Sequence, residues 1–222
     1  MCFNGAMVVF TPDDEPYLGR QSVYQFDTII QLFVEEQLRI AVLTRHGRLS
    51  PLQEAAGELV PSASSIALSI REFVRQGYLL SAAILKRPLF ERVATLSYLI
   101  EHPDAVNLWR DGWPHGSRPS LKERIRAMHN ASGERTAGRP PPTEATIRQV
   151  LDEMNSLVHG DPVAALHGAV LMDDGRAGYT ISKDVRSPNR ADEVCFFATM
   201  MLVVLLARST QLFPPDEDQP KQ

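Results

Sequence analysis

The sequence predicts a mainly α fold, an antiparallel bundle of about five long helices with one small β-hairpin near residues 168–181. Apolar residues recur at spacings of three and four along most of the chain, and a single pair of short β-type segments flanks a turn. A chain of 222 residues, 44% of them hydrophobic, can bury one sizeable core. We therefore expect a flexible arm at 1–20, a single helical domain at 21–213 and a disordered tail at 214–222.

The first helix is predicted at about Ser22–Arg45, where Phe26, Ile30 and Phe33 share one face. Residues 47–61 contain two prolines as well as glycine. This composition predicts a loop with at most one short turn of helix.

A second helix is predicted at about Ser62–Leu85 from an apolar seam that includes Gly77. Glycine lowers helix propensity by roughly 1 kcal/mol relative to alanine, so the pattern favours a close helix crossing at that position. Pro88 predicts a restart, because it lacks an amide hydrogen and crowds the preceding turn. The third helix then runs from Pro88 to about Glu101.

Later helices are predicted from the residues at their ends. A short helix is expected at 104–109, and Ser120 and Glu123 have the spacing of a capping box that begins another peripheral helix. Two further long helices are predicted at Thr143–Val158 and at Pro188–Leu212, the second with proline at its first position.

Composition excludes several classes of function. The net charge of -4 gives no basic footprint, so nucleic acid is expected to bind only through a local patch, if at all. Cys2 and Cys195 do not make a disulfide framework or a metal-ligand set, which predicts a reduced, cytoplasmic protein without a metal or cofactor. The apolar run Val194–Ala207 is shorter than the roughly 20 residues of a membrane span, so a buried core helix is expected.

The third helix carries the most concentrated polar chemistry. Arg87 and Glu91 are four residues apart and therefore neighbours on one face, and Thr95 and Tyr98 continue this stripe. One interpretation is a cleft in which the arginine binds an anionic group and the carboxylate accepts a proton. The alternative is an ordinary intrahelical ion pair at the rim of the core.

A second polar stripe follows the Thr143 helix and includes Arg148, Asp152, Asn155 and His159. His159 is a candidate general acid or base, because the ordinary pKa of histidine lies near neutrality. The alternative is a histidine that caps the last carbonyls of its helix, beside Gly160. The candidate ligand-binding residues are Arg87, Glu91, Tyr98, Asn155 and His159, and the catalytic candidates are His159, Arg87 and Glu91.

The segment 85–100, followed about sixty residues later by Asn155-Ser156-Leu157-Val158-His159-Gly160, resembles an uncharacterised family of bacterial helical proteins. Members of that family carry an Arg-x-x-x-Glu helix and a downstream polar residue before a Val-His pair. The resemblance implies an all-α fold and no established activity.

A looser resemblance is to the helical ribonucleases of prokaryotic defence and toxin systems. Those proteins place an arginine, four to six residues and then a histidine near a helix end, commonly at a dimer interface. Here the residue at that place is Asn155, with three residues between it and His159, and ten residues separate Arg148 from His159. The chain departs from the ribonuclease motif at this point.

Two hypotheses of function follow. The first is an interaction or ligand-binding module, a homodimer with Arg87, Glu91 and His159 around an inter-helix cleft, since the apolar helix faces exceed what one slim bundle covers. The second is a metal-independent ribonuclease-like enzyme that uses His159 with Arg87 or Arg148. The missing arginine motif and the acidic composition favour the first.

Overall fold

Helix dominates the part of the chain that the structure describes, as the apolar periodicity predicts. A computed structural model describes residues 15–45, 47–130, 143–159, 169–171, 175–179 and 183–214. The helices are α1 (Gln21–Thr44), α2 (Pro51–Gln76), α3 (Leu79–Ile84), α4 (Lys86–Glu101), α5 (Val106–Arg110), α6 (Leu121–Asn130), α7 (Glu144–His159) and α8 (Pro188–Leu212), with a 3-10 turn at Pro103–Ala105 before α5.

Two short strands, β1 (Ala169–Leu171) and β2 (Ala177–Tyr179), pair antiparallel, with Val170 opposite Gly178. They fall within the segment 168–181 in which a hairpin is predicted. Part of the predicted turn, residues 172–174, lies outside the described residues.

The predicted loop at 47–61 is wrong, because α2 already begins at Pro51. Ser50 and Gln53 form a reciprocal capping box: the Gln53 amide donates to Ser50 Oγ, and the Ser50 amide donates to Gln53 Oε1. Pro51 occupies the first helical position, where a missing amide hydrogen costs nothing. Pro61 lies inside α2, so this proline does not end the helix.

Gly77 ends α2, which corrects both the predicted helix Ser62–Leu85 and the predicted crossing at Gly77. Its φ of 79° is left-handed, and the Tyr78 amide donates to Phe73 O at 2.7 Å, as in a glycine-terminated helix. The Asp184 amide donates to Gly77 O at 2.8 Å. The close approach at Gly77 is therefore to a backbone segment rather than to another helix.

Gly77→Ala is expected to lower the free energy of unfolding by about 1–2 kcal/mol. The alanine would have to adopt the left-handed conformation of Gly77, and its Cβ would lie 3.2 Å from Asp184 O. Gly57→Ala is the matched control within α2. Its Cβ meets nothing within 4 Å and its φ is not left-handed, so a gain of roughly 0.5–1 kcal/mol is expected. Urea denaturation of both variants measures the difference, and equal effects would contradict the assignment of Gly77 as a helix end.

Several helix ends form as their local chemistry predicts. The α6 capping box is present, with the Glu123 amide donating to Ser120 Oγ at 3.2 Å and the Ser120 amide donating to Glu123 Oε2 at 2.6 Å. Pro188 is the first residue of α8, as expected. The restart at Pro88 occurs two residues earlier, at Lys86, which leaves Pro88 in the first turn of α4, where proline is tolerated.

Helices α1 and α8 lie side by side and run in the same direction. Arg20, just before α1, pairs with Asp192 near the start of α8, and Arg39 near the end of α1 donates to Phe213 O just after α8. The predicted antiparallel arrangement therefore does not apply to this pair. No short connection joins the two helices, so the chain does not force them to run in opposite directions.

Helix α2 runs antiparallel to α8. Gln53, near the start of α2, donates to Leu212 O at 3.0 Å, whereas Gly77 after its end contacts Asp184 before α8.

The core lies between α1, α2, α4 and α8, and it contains the apolar seams that periodicity predicts. Side chains from all four helices are fully buried there. The largest are Phe26, Phe33, Ile70, Leu89, Leu96, Leu99, Leu202 and Leu205.

Residues 15–20 pack against the helices, although they fall within the predicted flexible arm. Tyr17 is buried and its hydroxyl donates to Asp184 O at 2.5 Å. Glu15 pairs with Arg71 of α2 at 2.6 Å. The contacts of Tyr17 and Glu15 hold this segment against the helices. These contacts are with residues far away in the sequence, so the turn residues of the segment do not predict them. Residues 1–14 and 215–222 lie outside the described part, so the rest of the arm and nearly all of the tail stay predictions.

Helix α8 is long and apolar enough to cross a membrane by length and composition, with a mean hydropathy of 1.6 over its most apolar window. That window is 44% buried inside the protein. Core helices of globular proteins pass the same test, and α8 contacts α1, α2 and α4 along its length.

Candidate functional site

The structure brings Arg87, Glu91 and Asn155 together. Arg87 Nε donates to Glu91 Oε1 at 2.9 Å across one turn of α4, and Arg87 Nη1 donates to Asn155 Oδ1 on α7. Arg87 and Glu91 are partly exposed, so the group opens to solvent on one side. The spacing predicts the first contact, whereas the second depends on how α7 packs against α4.

His159 makes no contact with Arg87, Glu91 or Asn155 in the described part of the chain. It is the last residue of α7, its side chain is exposed, and no described residue gives it a hydrogen bond or an ion pair. Arg148 and Asp152 are exposed as well. A catalytic role for His159 with Arg87 or Arg148 therefore gains no geometric support, and the ribonuclease hypothesis stays a prediction.

Tyr98 lies in a different place from Arg87. Its ring stacks on His102 at 4.4 Å between centroids and meets Trp113 edge-on at 6.3 Å. It borders a separate cavity of about 220 Å³ at the end of α4, next to α6. Burial, followed by the charges of Glu123 and Asp104, raises the pKa of Tyr98, so this side chain stays neutral at ordinary pH.

Arg124 of α6 is the functional candidate that the sequence reasoning missed. Only 5% of this residue is exposed, Nη1 donates to Thr95 Oγ1 at 3.1 Å, and buried Nε has no hydrogen-bond partner among the described residues. Arg124 lies on the same face of α6 as Leu121, Ile125 and Met128. That position in an apolar stripe is the signal that an arginine is directed inward.

The electrostatics of Arg124 are unfavourable. Burial lowers its pKa most, and the positive charges of Arg118 and Arg87 lower it further, while Glu91 alone raises it. We call Arg87, Arg118 and Arg124 the arginine cluster. Among the charged groups that act on Arg124, Glu91 is the one carboxylate. Glu91 already accepts a hydrogen bond from Arg87.

Lys86, the neighbour of Arg87, shows how a buried cation is satisfied in the same protein. Its Nζ lies 2.6 Å from Glu193 of α8 and 3.2 Å from Glu153 of α7, and it sits 5.4 Å from the centre of the Phe197 ring. Two carboxylates and an aromatic face thus surround one ammonium group. Arg124 is equally buried, but the described part of the chain offers it no comparable set of acceptors.

Other chemistries receive little support from the described part of the chain. It contains no group of three or more His, Cys, Asp or Glu that could hold a metal ion. Cys195 is fully buried in the core, and burial raises the pKa of its thiol to about 12. A thiol in that state is a poor nucleophile at neutral pH.

Comparison with protein-family models, with curated proteins and with solved structures finds no match for this chain. The resemblance to bacterial helical proteins with an Arg-x-x-x-Glu helix therefore stays a prediction from two short motifs.

Proposed function

We propose that the protein is a helical ligand-binding module that holds a small oxyanion between α4, α6 and α7. The observation that carries this proposal is the buried guanidinium of Arg124. Among the described residues no carboxylate pairs with it, and none accepts a hydrogen bond from its Nε. Arg87, Glu91 and Asn155 form the partly exposed side of the same site.

The charge of Arg124 is buried and incompletely paired among the described residues. A buried cation without an acceptor carries a penalty of several kcal/mol, and proteins ordinarily satisfy it as Lys86 is satisfied here. An oxyanion supplies both a compensating charge and lone pairs. Charge-assisted bonds from guanidinium to carboxylate or phosphate are among the strongest hydrogen bonds in proteins.

Neutral polar groups complete the site. Thr95 Oγ1 accepts from Arg124, so its own proton can be donated to a bound anion. Asn155 presents Oδ1 to Arg87, which leaves its amide hydrogens to face a ligand. Both side chains lie beside the cluster without adding negative charge, as an anion site requires.

The direct test compares binding of inorganic phosphate and acetate to the wild type and to Arg124→Met by isothermal titration calorimetry. Arg126→Met is the matched control, because Arg126 is exposed on the same helix and its loss changes net charge equally. We expect Arg124→Met to weaken oxyanion binding at least tenfold, which corresponds to about 1.4 kcal/mol, and Arg126→Met to change it less than twofold.

Melting curves of the same samples separate binding from structure. Replacing an unpaired buried guanidinium by an apolar side chain of similar length is expected to leave the melting temperature unchanged or to raise it. Wild-type protein that binds neither anion, or an Arg124→Met variant that binds as well as the wild type, would contradict the proposed function.

We further propose that the protein is a cytoplasmic homodimer of single helical domains. Helix α8 exposes Phe196, Met200 and Val203 at spacings of four and three, and Phe196 is 61% exposed. Such a stripe is more than isolated exposed apolar residues on a surface. A second copy offers an identical apolar stripe across a two-fold axis.

Size-exclusion chromatography with light scattering is expected to report twice the chain mass of 24.8 kDa at tens of micromolar protein. Phe196→Glu should convert the dimer to monomer, because it places two carboxylates near the two-fold axis. Leu108→Glu, at an exposed apolar residue on α5, is the control and should stay dimeric. Wild-type monomer under these conditions would contradict the dimer.

A further inference from the structure

A cavity of about 460 Å³ lies between the second half of α1 and the first half of α2, and no residue of α4, α6 or α7 lines it. At one end of it the two helices are joined, because Gln37 Nε2 donates to Ser64 Oγ at 2.8 Å. Closer to the connection between the helices the lining residues are small, with Ala41 on α1 and Ala56 and Gly57 on α2. Side chains of this size leave the space between two helices open.

The lining of this cavity is mostly apolar and carries no charge. Buried Val60 and Phe213 line its inner side, and the more exposed Val34 and Leu38 line its outer side. No Asp, Glu, Lys or Arg lines it in the described part of the chain. Its volume lies within the range of small-molecule sites, which are predominantly apolar with a few polar groups. A charged ligand would lose its hydration there without a compensating charge, so the cavity favours a neutral one.

Two polar groups at one end of the cavity have hydrogen-bonding capacity left. Ser64 Oγ accepts from Gln37, and the hydroxyl hydrogen of Ser64 has no acceptor among the described residues. Gln37 Oε1 has no donor in the same part of the chain. By contrast, Thr44 donates to the backbone of its own helix, and both ends of the Gln53 amide are hydrogen-bonded. One donor and one acceptor are therefore available side by side.

We propose that this cavity binds a neutral aliphatic molecule with a terminal hydroxyl group, such as a medium-chain fatty alcohol. The ligand oxygen accepts from the Ser64 hydroxyl, and the ligand hydroxyl donates to Gln37 Oε1, so one small head group satisfies both side chains. The alkyl chain packs against Val60 and Phe213 and leaves water. This site is separate from the oxyanion site and does not depend on it.

The probes are 1-octanol, methyl octyl ether and octylammonium, which share an alkyl chain and differ in the head group. The alcohol both donates and accepts, the ether only accepts, and the ammonium group carries a charge. Saturation-transfer NMR of the terminal methyl protons gives the affinity of each at pH 7.5. The proteins are the wild type, Gly57→Leu, Ser65→Leu and Gln37→Met, each checked for a native melting curve.

Gly57→Leu is designed to fill the cavity. A Cβ at Gly57 meets nothing within 4 Å, so the leucine enters open space without displacing a neighbour. Ser65→Leu is the matched control, because it adds the same side chain at an exposed residue of α2 that does not line the cavity. Gln37→Met keeps the length of the side chain and removes the acceptor.

We expect the wild type to bind 1-octanol at least about tenfold more tightly than octylammonium and about fivefold more tightly than the ether. Gly57→Leu should weaken octanol binding at least about tenfold, and Ser65→Leu should change it less than about twofold. Gln37→Met should bind the alcohol and the ether equally, because each then keeps only the hydrogen bond from Ser64.

Several outcomes would overturn this inference. Octylammonium that binds as tightly as octanol would rule against a neutral ligand, and octanol binding that survives Gly57→Leu would rule against this cavity. A preference for the alcohol that persists in Gln37→Met would contradict the role of Gln37. Wild type that binds neither octanol nor the ether would overturn the whole proposal. If in that case Gly57→Leu also lowers the mass measured by light scattering, a second copy of the chain occupies the cavity instead.

Discussion

Ile70→Asp is expected to abolish cooperative folding. Ile70 is completely buried in α2, where an aspartate would place an unpaired carboxylate among apolar side chains from neighbouring helices. The cost of burying such a group, added to the lost apolar contacts, exceeds about 4 kcal/mol, a large part of the stability of an ordinary domain. Circular dichroism should show loss of the native helical signal and of the thermal transition.

Leu68→Asp is the matched control, two residues away on the same helix. Leu68 is 47% exposed, so the new carboxylate stays in water and the expected change is below about 1 kcal/mol. Leu96→Asp, at a fully buried residue of α4, should reproduce the effect of Ile70→Asp. A native melting transition in either buried variant would mean that the helix faces are assigned wrongly.

Stability is expected to fall steeply between pH 9 and pH 12 because of Cys195. The pKa of this thiol rises from 9.0 to about 12 on folding, chiefly through burial. The unfolded chain therefore loses the proton first, so the stabilisation is complete below pH 9 and disappears as the pH rises through 12. A shift of this size corresponds to about 4 kcal/mol.

Tyr17 adds a second contribution over a narrower range. Burial, followed by the charge of Asp184, raises its pKa from 10.0 to about 12, so stability present below pH 10 is lost by pH 12. Its hydroxyl also donates to Asp184 O, and an ionised oxygen could not make that bond.

Urea denaturation as a function of pH checks both contributions. Cys195→Ala should flatten the decline that begins near pH 9, and Tyr17→Phe should flatten the part above pH 10. Tyr24→Phe is the control for the tyrosine, because Tyr24 is exposed on α1. Identical pH profiles for the wild type and Cys195→Ala would show that the thiol is not buried as described.

The residues near each helix end show how far local chemistry predicts the fold. The capping box of Ser120 and Glu123 and the proline at the start of α8 need only their neighbours in sequence, and both form as predicted. The same chemistry is present at Ser50, Pro51 and Gln53, although the prolines and glycines of residues 47–61 predict a loop. A proline at the first helical position and a capping box together outweigh the composition of the segment.

The site shows a similar division. The bond between Arg87 and Glu91 follows from a spacing of four residues on any helix. Asn155 completes it only because α7 packs against α4, and no spacing links residues 68 positions apart. His159, one turn beyond Asn155, is exposed, because a helix end is solvated unless another element covers it.

The sequence by itself determined the mainly helical character, the buried faces of the long helices and the pairing of Arg87 with Glu91, because each depends on residues within one or two turns of each other. Only the tertiary structure decided that α1 and α8 run in the same direction, that Gly77 ends α2 against the Asp184 segment and that Arg124 is buried beside Thr95. Those features join segments far apart in the chain. They depend on which apolar faces meet when the core forms, and that choice is a property of the packed molecule rather than of any local pattern.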